Sequence, residues 1–491
     1  MRESIAIVGA GPTGLTAAIA LAHHGVEARV LERRDRASQA SRALGLQARS
    51  MELLAMLGVA DRVQQVAYRL GGSSIMRGDR VIAEQRWIPP DSPYPYTYVI
   101  PQHGLEVMLR DRLAELGGSV EWGRAVTEVH GDATGVTLGT ADGAIRAHWV
   151  LGADGAGSLV RESAGIAFAG VNTGEIYHLA DVRLEVEPSL SDGAMWLGAD
   201  GPLMMMRLPD SGVWRIFVDV TDEEVAEDEA PNRASLQALL DRRGMLGLEI
   251  QQVEWSSVFR SRLCLADAYR ADRLLLAGDA AHIFPPFGGQ GMNLGIQDAV
   301  GLAWRLARVA GGASPALLDD YARERRGVAA AVIREVEGRR RMFALRHPVA
   351  RTLRDAMLRL VSTSSVAARA ASRTNSQIDL SYRSGRGRVP TVGDRAPDAA
   401  FAGGTVHDHL RADRFTLLRF AGVVQLPIPE PITVLDIDDQ SDPGGRVRRR
   451  YRMSRGVVLV RPDGHIGYRG TDMNAVAGAV AASSRAYDRQ S

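Results

Sequence analysis

A glycine-rich segment in the second half of the chain has the residue types of a loop that binds an electron-rich ligand. Gly278-Asp279-Ala280-Ala281-His282 is followed by Gly288-Gly289 and by a helical pattern expected from Leu294 to Val309. Backbone N–H groups at the start of a helix can hold a negatively charged oxygen, and we expect those of Gly291, Met292 and Asn293 to do so. The short carboxylate of Asp279 suits a ribose or ribitol hydroxyl.

A second pattern at the N-terminus is typical of dinucleotide binding. The apolar run Ile5–Val8 predicts a buried strand, Gly9-Ala10-Gly11-Pro12-Thr13-Gly14 fills a GxGxxG turn, and Leu15 to His24 predicts a helix. Glu32 follows the next strand, at the spacing of an acid that binds an adenosine ribose hydroxyl. An ordinary glycine-rich loop would not need the flanking strand, helix and acid, so we favour a dinucleotide site.

A third loop lies between these two. Gly152-Ala153-Asp154-Gly155-Ala156-Gly157-Ser158 follows the strand pattern 149–151 and places a carboxylate at the tip of a turn. Taken alone, this motif predicts only a hairpin.

Together the three segments resemble the FAD-dependent aromatic hydroxylases, the flavoprotein monooxygenases related to p-hydroxybenzoate hydroxylase. Ser41 to Glu52 and Pro101-Gln102 resemble the segments beside the flavin in the hydroxylases of aromatic polyketides. The resemblance implies an α/β fold: a Rossmann-like FAD-binding domain, a β-sheet substrate domain, a helical wall and a thioredoxin-like C-terminal domain.

The resemblance also implies which residues contact the cofactor. Pro286 and Arg42 are expected nearest the reacting ring, Pro286 as part of a rigid wall and Arg42 as a group that steers flavin or substrate. The expected cofactor contacts are Gly9, Gly11, Pro12, Thr13, Gly14, Glu32, Arg33, Arg42, Gln102, Asp154, Gly155, Gly278, Asp279, Pro286, Gly289, Gln290, Gly291, Met292 and Asn293.

The reaction that the resemblance implies has three steps. Reduced nicotinamide, with NADPH favoured over NADH, delivers a hydride; the reduced flavin captures O2; and a flavin C4a-hydroperoxide passes an oxygen to a phenolate-like carbon. The chain has no second dinucleotide fingerprint, so the nicotinamide is expected to dock transiently, with Arg161 and the Asp154-Gly155 turn as its contacts.

The substrate is expected to be a polycyclic aromatic compound held in an apolar pocket. The predicted pocket residues are Trp196, Met204, Met206, Phe217 and Phe287. Leu44 stands where phenol hydroxylases have an aspartate, which argues against a simple phenol as substrate. No general base can be assigned, and Tyr177, His178 and Arg207 are only guesses.

The three loops are far apart in the chain, so the flavin domain is predicted to be discontinuous. Its first part covers residues 1–175, with a strand-rich excursion at about 71–100 that joins the substrate domain. Residues 176–258 form the substrate sheet, 259–385 the second part of the flavin domain with the helical wall, and 390–491 the C-terminal domain.

Composition limits the partners and the chemistry. All 59 basic residues are arginine, balanced by 58 acidic ones, so general affinity for nucleic acid is not expected. The absence of lysine excludes Schiff-base chemistry and the lysine-dependent flavin halogenases. The single cysteine excludes an intrachain disulfide, no metal-site spacing occurs, and no stretch is long enough to span a membrane. We therefore expect a cytoplasmic protein, with a homodimer as one option.

Two alternatives stay open. The same cofactor could serve a Baeyer–Villiger oxygenase or an enzyme that inactivates an antibiotic. The chain could also be a flavin-binding or ligand-binding protein without turnover.

Overall fold

The computed structural model describes residues 3–38, 43–78, 80–86, 88–185, 192–198, 201–220, 230–243, 245, 247–285, 288–383, 385, 387, 389–421 and 432–481. A six-stranded sheet forms the centre of the part that carries the three glycine-rich loops, called the cofactor half below. Five consecutive strands run parallel, and the sixth, at one edge of the sheet, is antiparallel to its neighbour. In sheet order the strands are Val120–Glu121, Ala28–Leu31, Ile5–Val8, Trp149–Gly152, Leu274–Leu276 and Arg270–Ala271.

The first strand is apolar throughout because it is covered on both faces. All four residues of Ile5–Val8 are buried, as expected for an inner parallel strand. The following helix, Pro12–His23, begins with proline at its first position, where no hydrogen-bonded N–H is required. The expected strand, turn and helix are therefore confirmed, with the helix beginning three residues earlier than predicted.

An eight-stranded sheet carries the substrate half. Its neighbours pair antiparallel except for one parallel pair, Gly193–Gly198 with Gly72–Arg77. In sheet order the strands are His282–Ile283, Ile250–Ala266, Phe168–Leu184, Val213–Val220, Gly201–Arg207, Gly193–Gly198, Gly72–Arg77 and Arg80–Arg86. The strands at 72–86 thus join the sheet that the alternating patterns indicated, while the predicted domain boundaries themselves stay a prediction.

Alternation along these strands produces two different faces. Leu203, Met205 and Trp214 pack on one face against the helix Arg233–Arg242. Met204 and Phe217 lie on the other face, in contact with the core of the cofactor half. Only this second face can contribute to a site shared with the cofactor.

Two small three-stranded sheets complete the two halves, and a two-stranded sheet lies in the C-terminal region. The three-stranded sheets consist of Gly143–Ala147, Gly135–Thr140 and Val126–Asp132, and of Gly45–Leu46, Thr97–Val99 and Tyr68–Leu70; a two-stranded one pairs Ala400–Phe401 with Gly404–Thr405.

Helices pack on the sheets and form the expected wall after residue 315. The α-helices are Pro12–His23, Ala48–Met56, Ala60–Val66, Gln102–Glu115, Leu159–Ser163, Arg233–Arg242, Gln290–Ala310, Ala316–Phe343, Pro348–Thr363, Ser365–Asn375, Arg446–Tyr451 and Asn474–Ala481, and the 3₁₀ turns are Gly278–Ala280 and His407–His409. Across the part of the chain that the structure describes, no helix combines the length and the apolar composition needed to cross a bilayer.

The C-terminal region has its own four-stranded mixed sheet. Its order is Thr433–Ile437, Thr416–Phe420, Gly456–Val460 and Ile466–Gly470, with the first pair parallel and the others antiparallel. This is the arrangement expected of the thioredoxin-like domain. The strands Gly456–Val460 and Ile466–Gly470 form a hairpin, and its turn, residues 461–465, is buried rather than exposed.

Candidate flavin and substrate site

The three predicted loops meet at the carboxyl ends of the parallel strands. Gly9 has a left-handed backbone (φ +104°), and a Cβ added there would lie 2.3 Å from the carbonyl oxygen of Ala153. The N-terminal turn and the loop that begins at Gly152 are therefore in backbone contact, which only glycine permits. Gly155, at the tip of that loop, is also left-handed.

Thr13 brings the N-terminal turn against the third loop. A Cβ on Gly278 would lie 2.5 Å from Thr13 Oγ1, and one on Gly295 would lie 2.3 Å from the same atom. The helix Pro12–His23 consequently packs closely on the helix Gln290–Ala310. The motifs near residues 9 and 278 thus border one groove.

The groove fits a dinucleotide. A Cβ on Gly11 would meet no protein atom within 4 Å, so the turn is open to a ligand. The buried carboxylate of Glu32 accepts hydrogen bonds from the Ala10 N–H (2.9 Å) and from the Arg34 Nε (2.9 Å). Burial would raise the pKa of Glu32, but these hydrogen bonds lower it. Glu32 therefore stays an anion that can accept ribose hydroxyls.

Two further predicted contacts lie on the borders of this region. Arg33 is exposed, next to Glu32. Gln102 begins the helix Gln102–Glu115, where its N–H reaches the Ala43 carbonyl (3.1 Å) and its side chain donates to Glu106 (2.9 Å). Arg42, Pro286 and Phe287 lie outside the described residues.

The loop after Gly152 is not a hairpin, because it leads into the short helix Leu159–Ser163. Asp154 accepts hydrogen bonds from the Ser158 hydroxyl (2.6 Å) and the Val160 N–H (3.2 Å), and burial raises its pKa. Its carboxylate therefore stabilises the loop that brings Gly155 to the groove.

Arg161 does not have the position that a transient nicotinamide contact requires. Its side chain is 6% exposed, and it donates to the carbonyls of Ala156 (3.1 Å) and Ala280 (3.2 Å). The expectation that Arg161 binds nicotinamide is wrong, since the guanidinium is used to connect two loops.

A buried network that sequence reasoning missed supports the third loop. Asp298 accepts the Gly278 N–H (3.1 Å), and its carboxylate also contacts His282 Nε2 (2.7 Å) and Arg325 Nε (2.7 Å). Burial would raise the pKa of Asp298, but the attraction of Arg325 and His282 lowers it. The signal available in the sequence is a single acid within the run Leu294–Leu302, whose only other polar side chain is Gln297. Asp279 itself is exposed beside this anchored backbone.

The helix at the groove begins earlier than predicted. It runs from Gln290 to Ala310, and it follows Gly288 and Gly289, which both have positive φ. The N–H groups of Gln290, Gly291 and Met292 therefore have no acceptor within the helix. By the same rule the Asn293 N–H is satisfied within the helix, which corrects its expected role as a backbone donor.

Asn293 instead uses its side chain to hold a neighbouring segment. Its Nδ2 donates to the Gly45 carbonyl (2.8 Å), and its Oδ1 accepts the Gln47 N–H (2.8 Å). Gln290 is buried and donates to the Gly288 carbonyl (2.9 Å). The segment 43–47 is thus fixed beside the helix start.

Met204, Met206 and Phe217 lie on the sheet face towards this segment. Met206 packs against a small apolar cluster that contains Leu44, and Met204 pairs with Phe217 across the strands. Trp196 lies on the opposite face, where its Nε1 donates to the Gly78 carbonyl (3.1 Å). The structure therefore removes Trp196 from the expected pocket, because its strand position gives it the other orientation.

A buried ion pair on the inner face was not foreseen. Arg215 and Asp181 form two hydrogen bonds, one of 2.8 Å, and Arg215 stacks 4.7 Å from the Trp255 ring. Arg215 is paired with Met206 in the sheet, so a polar group stands within an apolar surface.

The surroundings of Tyr177, His178 and Arg207 do not mark any of them as a general base. The buried Tyr177 hydroxyl donates to Glu175 (2.8 Å), and burial, followed by the charge of Glu175, raises its pKa far above the ordinary value. Tyr177 therefore stays protonated. His178 lies one residue further, on the opposite face of the strand, and Arg207 stacks 5.0 Å from Trp214.

Comparison with known proteins agrees with this arrangement. Residues 2–336 match the family model described as FAD binding domain, and residues 389–489 match the one described as aromatic-ring hydroxylase, C-terminal. The chain is 33% identical to the rifampicin monooxygenase of Streptomyces venezuelae, over 95% of this chain and 96% of that protein. It is also 33% identical to the 12-dehydrotetracycline 5-monooxygenase/anhydrotetracycline 6-monooxygenase of Streptomyces rimosus, over 95% of both chains.

A solved structure shows the same architecture. The anhydrotetracycline hydroxylase OxyS of Streptomyces rimosus superposes with a TM-score of 0.78 at 30% identity, covering 98% of each chain. With the family model spanning most of the sequence and relatives matched over nearly their whole length, the chain belongs to the FAD-dependent aromatic-ring hydroxylases.

Proposed function

We propose that this protein is an NAD(P)H-consuming, FAD-dependent monooxygenase that hydroxylates a polycyclic aromatic compound of the polyketide type. The observation that carries the proposal is the convergence of the three loops on one groove, beside a sheet face that contributes Met204, Met206 and Phe217. The tetracycline monooxygenases among its relatives supply the substrate class.

The groove residues would hold FAD along its length. Glu32 would bind the adenosine ribose, the turn at Gly11 would admit the pyrophosphate, and Asp279 would meet the ribityl chain. When bound, FAD supplies the hydride acceptor and the centre that reacts with O2. The first turn of the helix at Gln290 would offer its free N–H groups to the negative charge of a reduced ring system.

The substrate side would exclude water and orient the aromatic rings. Leu44 and Met206 form an apolar contact at the border of the two halves, and unbranched methionines adapt to large ring systems. Arg215, held by Asp181, would interact with an oxygen substituent of the substrate. A charged group at this position distinguishes one end of a polycyclic ligand from the other.

Reduced nicotinamide and O2 are the proposed co-substrates, and NADPH is the favoured nicotinamide. The chain has a single dinucleotide fingerprint, which FAD would occupy, so the nicotinamide would bind only for reduction. A homodimer is a further proposal, which sedimentation of the purified protein would test.

The decisive experiment uses purified protein reconstituted with FAD. We expect NADPH to reduce the bound flavin, faster when a polycyclic phenol such as anhydrotetracycline is present, and ¹⁸O₂ to add one labelled oxygen to an aromatic carbon. A visible spectrum without bound or reconstitutable flavin would reject the proposal. Flavin that stays oxidised with both nicotinamides and with every ligand tested would identify a binding protein without turnover.

One relative favours a second function of the same chemistry. The rifampicin monooxygenase of Streptomyces venezuelae matches the chain over nearly its full length. Incubation with rifampicin, followed by mass and growth-inhibition measurements, tests whether the protein inactivates an antibiotic. A ring-inserted lactone as product would identify a Baeyer–Villiger oxygenase instead.

A further inference from the structure

We propose that the turn Arg461–His465 of the C-terminal domain positions the flavin site, so that this domain is a working part of the cofactor half. The inference rests on the proposed flavin site and extends it to a part of the chain that holds no flavin motif. Turns are usually exposed, yet all five residues of this turn are buried.

The turn enters the cofactor half through charged groups. Arg461 donates to both carboxylate oxygens of Glu324 (3.0 and 3.2 Å) and to Asp463 (3.0 Å). Arg305 also donates to Glu324 and lies 3.6 Å from Asp463. Arg305 belongs to the helix that begins at Gln290, so the turn is tied to the helix that borders the groove.

A first path leads from the turn to the loop at Gly278. Glu324 is adjacent in sequence to Arg325, on the helix Ala316–Phe343. Arg325 donates to Asp298 (2.7 Å), and Asp298 accepts the Gly278 N–H. A displaced Glu324 would therefore move the helix residue that anchors this loop.

A second path leads to the segment beside the helix start. Arg49 donates to the Asp463 carbonyl and lies 3.4 Å from His465 Nδ1. Arg49 stands two residues after Gln47, whose N–H is held by Asn293 at the start of the same helix. The turn thus supports both sides of the region where the free helical N–H groups lie.

Aromatic packing closes the contact. His465 stacks on Tyr382 with ring centroids 4.0 Å apart, and the Arg461 guanidinium lies 4.9 Å from the same ring.

A second bridge joins Arg395 of the C-terminal domain to Glu52 (2.8 Å), which also accepts from Arg49 (3.1 Å). The side chains of Arg49, Glu52, Arg305, Glu324, Arg395, Arg461 and Asp463 are all at most 5% exposed. Charges buried this deeply must be matched, so their positions are fixed together.

The test compares two carboxylates of the same domain in full-length holoenzyme. Asp463 belongs to the contact described above, whereas the buried Asp442 caps the helix Arg446–Tyr451 inside the domain (2.7 Å to the Arg446 N–H). We expect Asp463→Asn to raise the FAD dissociation constant about tenfold or more and to change the visible circular dichroism of bound flavin. Asp442→Asn should lower the melting temperature and leave both flavin measurements unchanged.

Equal flavin affinity in Asp463→Asn and wild type, or equal losses in both variants, would overturn the inference. If Asp463→Asn gives no soluble protein, Arg461→Lys replaces it, because lysine keeps the charge and loses the two-pronged contact. Its control is Arg448→Lys, since Arg448 donates to the Asp442 carbonyl within the domain (2.7 Å). A flavin effect confined to Arg461→Lys supports the inference, and identical behaviour of the two lysine variants rejects it.

Failure of the proposed reaction is a separate result. Wild-type protein that binds FAD and does not oxygenate any substrate would reject the function, while the affinity comparison would still decide the role of the turn. Wild-type protein that binds no FAD would reject both.

Discussion

The cofactor side and the substrate side of the site differ in construction, because the first is formed by backbone and the second by side chains. The cofactor side consists largely of backbone, with glycines where a Cβ would collide and with free N–H groups at a helix start. The substrate side consists of side chains that alternate along strands, and on one face the apolar Phe217 lies two residues away from the charged Arg215. Backbone constraints show in a single sequence as glycine patterns, whereas a side-chain surface can change its ligand by a few substitutions. This contrast explains why the motifs name the cofactor and leave the substrate open.

The contrast is tested most strongly by alanine substitutions at Gly9 and Gly11, two glycines of the same turn whose surroundings differ. Gly9→Ala would force a Cβ to 2.3 Å from a carbonyl in a left-handed backbone, so we expect roughly 2–6 kcal/mol of lost unfolding free energy and no FAD. Gly11→Ala meets no protein atom within 4 Å, so the melting temperature should hold while FAD affinity falls. Calorimetry and flavin titration measure both. Equal melting temperatures for the two variants would contradict a backbone-built groove.

The next largest expected effect is a loss of unfolding free energy when the buried network around Asp298 is broken. Asp298→Ala would leave Arg325 buried without its carboxylate, at a cost of about 3–5 kcal/mol. Denaturant titration of the apoprotein gives the free energy of unfolding. The exposed partner of Arg146, Asp132, provides the control, since loss of an exposed ion pair should cost far less than loss of the buried one. Similar losses in Asp298→Ala and Asp132→Ala would show that the network contributes little.

Acidification should lower the free energy of unfolding through the buried histidine of the turn Arg461–His465. Burial lowers the pKa of His465 from 6.5 to about 4, against the attraction of Asp463. Between these values the unfolded chain binds a proton that the folded chain does not, so stability falls as pH falls through this window, by about 3 kcal/mol in total. His465→Gln should flatten the fall measured by thermal melting. His24, with its pKa also lowered to about 4 by burial, should preserve part of it. An unchanged profile in His465→Gln would contradict this assignment.

The smallest effect separates the two faces of the substrate sheet. Met204→Ala, on the inner face, should raise the KM for a polycyclic substrate about tenfold, because each buried side chain contributes roughly 1.5–3 kcal/mol. Trp196→Phe, on the outer face, should leave the KM unchanged and lower the melting temperature. Steady-state oxygen consumption compares them. A larger KM effect from Trp196→Phe would reverse the assignment of the faces.

The sequence predicted most of what depends on local backbone. The strand Ile5–Val8 and the turn after it follow from short-range patterns. The start of the helix at Gln290 was missed because Gln290-Gly291 reads as loop until the positive φ of Gly289 is known.

Long-range contacts could not be predicted in this way. Alternation separates Trp196 from its neighbours, but only the packing of the sheet shows which face meets the cofactor half. Asp298 contacts His282 and Arg325, which are 16 and 27 residues away in the chain. The residues Pro462-Asp463-Gly464 indicate a turn, but nothing in that local pattern indicates that the turn is buried. These features come from tertiary structure.

Because every basic residue of the chain is arginine, replacing the C-terminal domain by that of a relative should be constrained. A buried lysine can shed its proton when its partner is lost, but a guanidinium keeps its charge. Arg49, Arg305 and Arg461 are buried against carboxylates, so each needs an acidic partner for the contact to be stable. A chimera that takes residues 390–491 from another family member should assemble only if its turn matches the acids at positions 52 and 324.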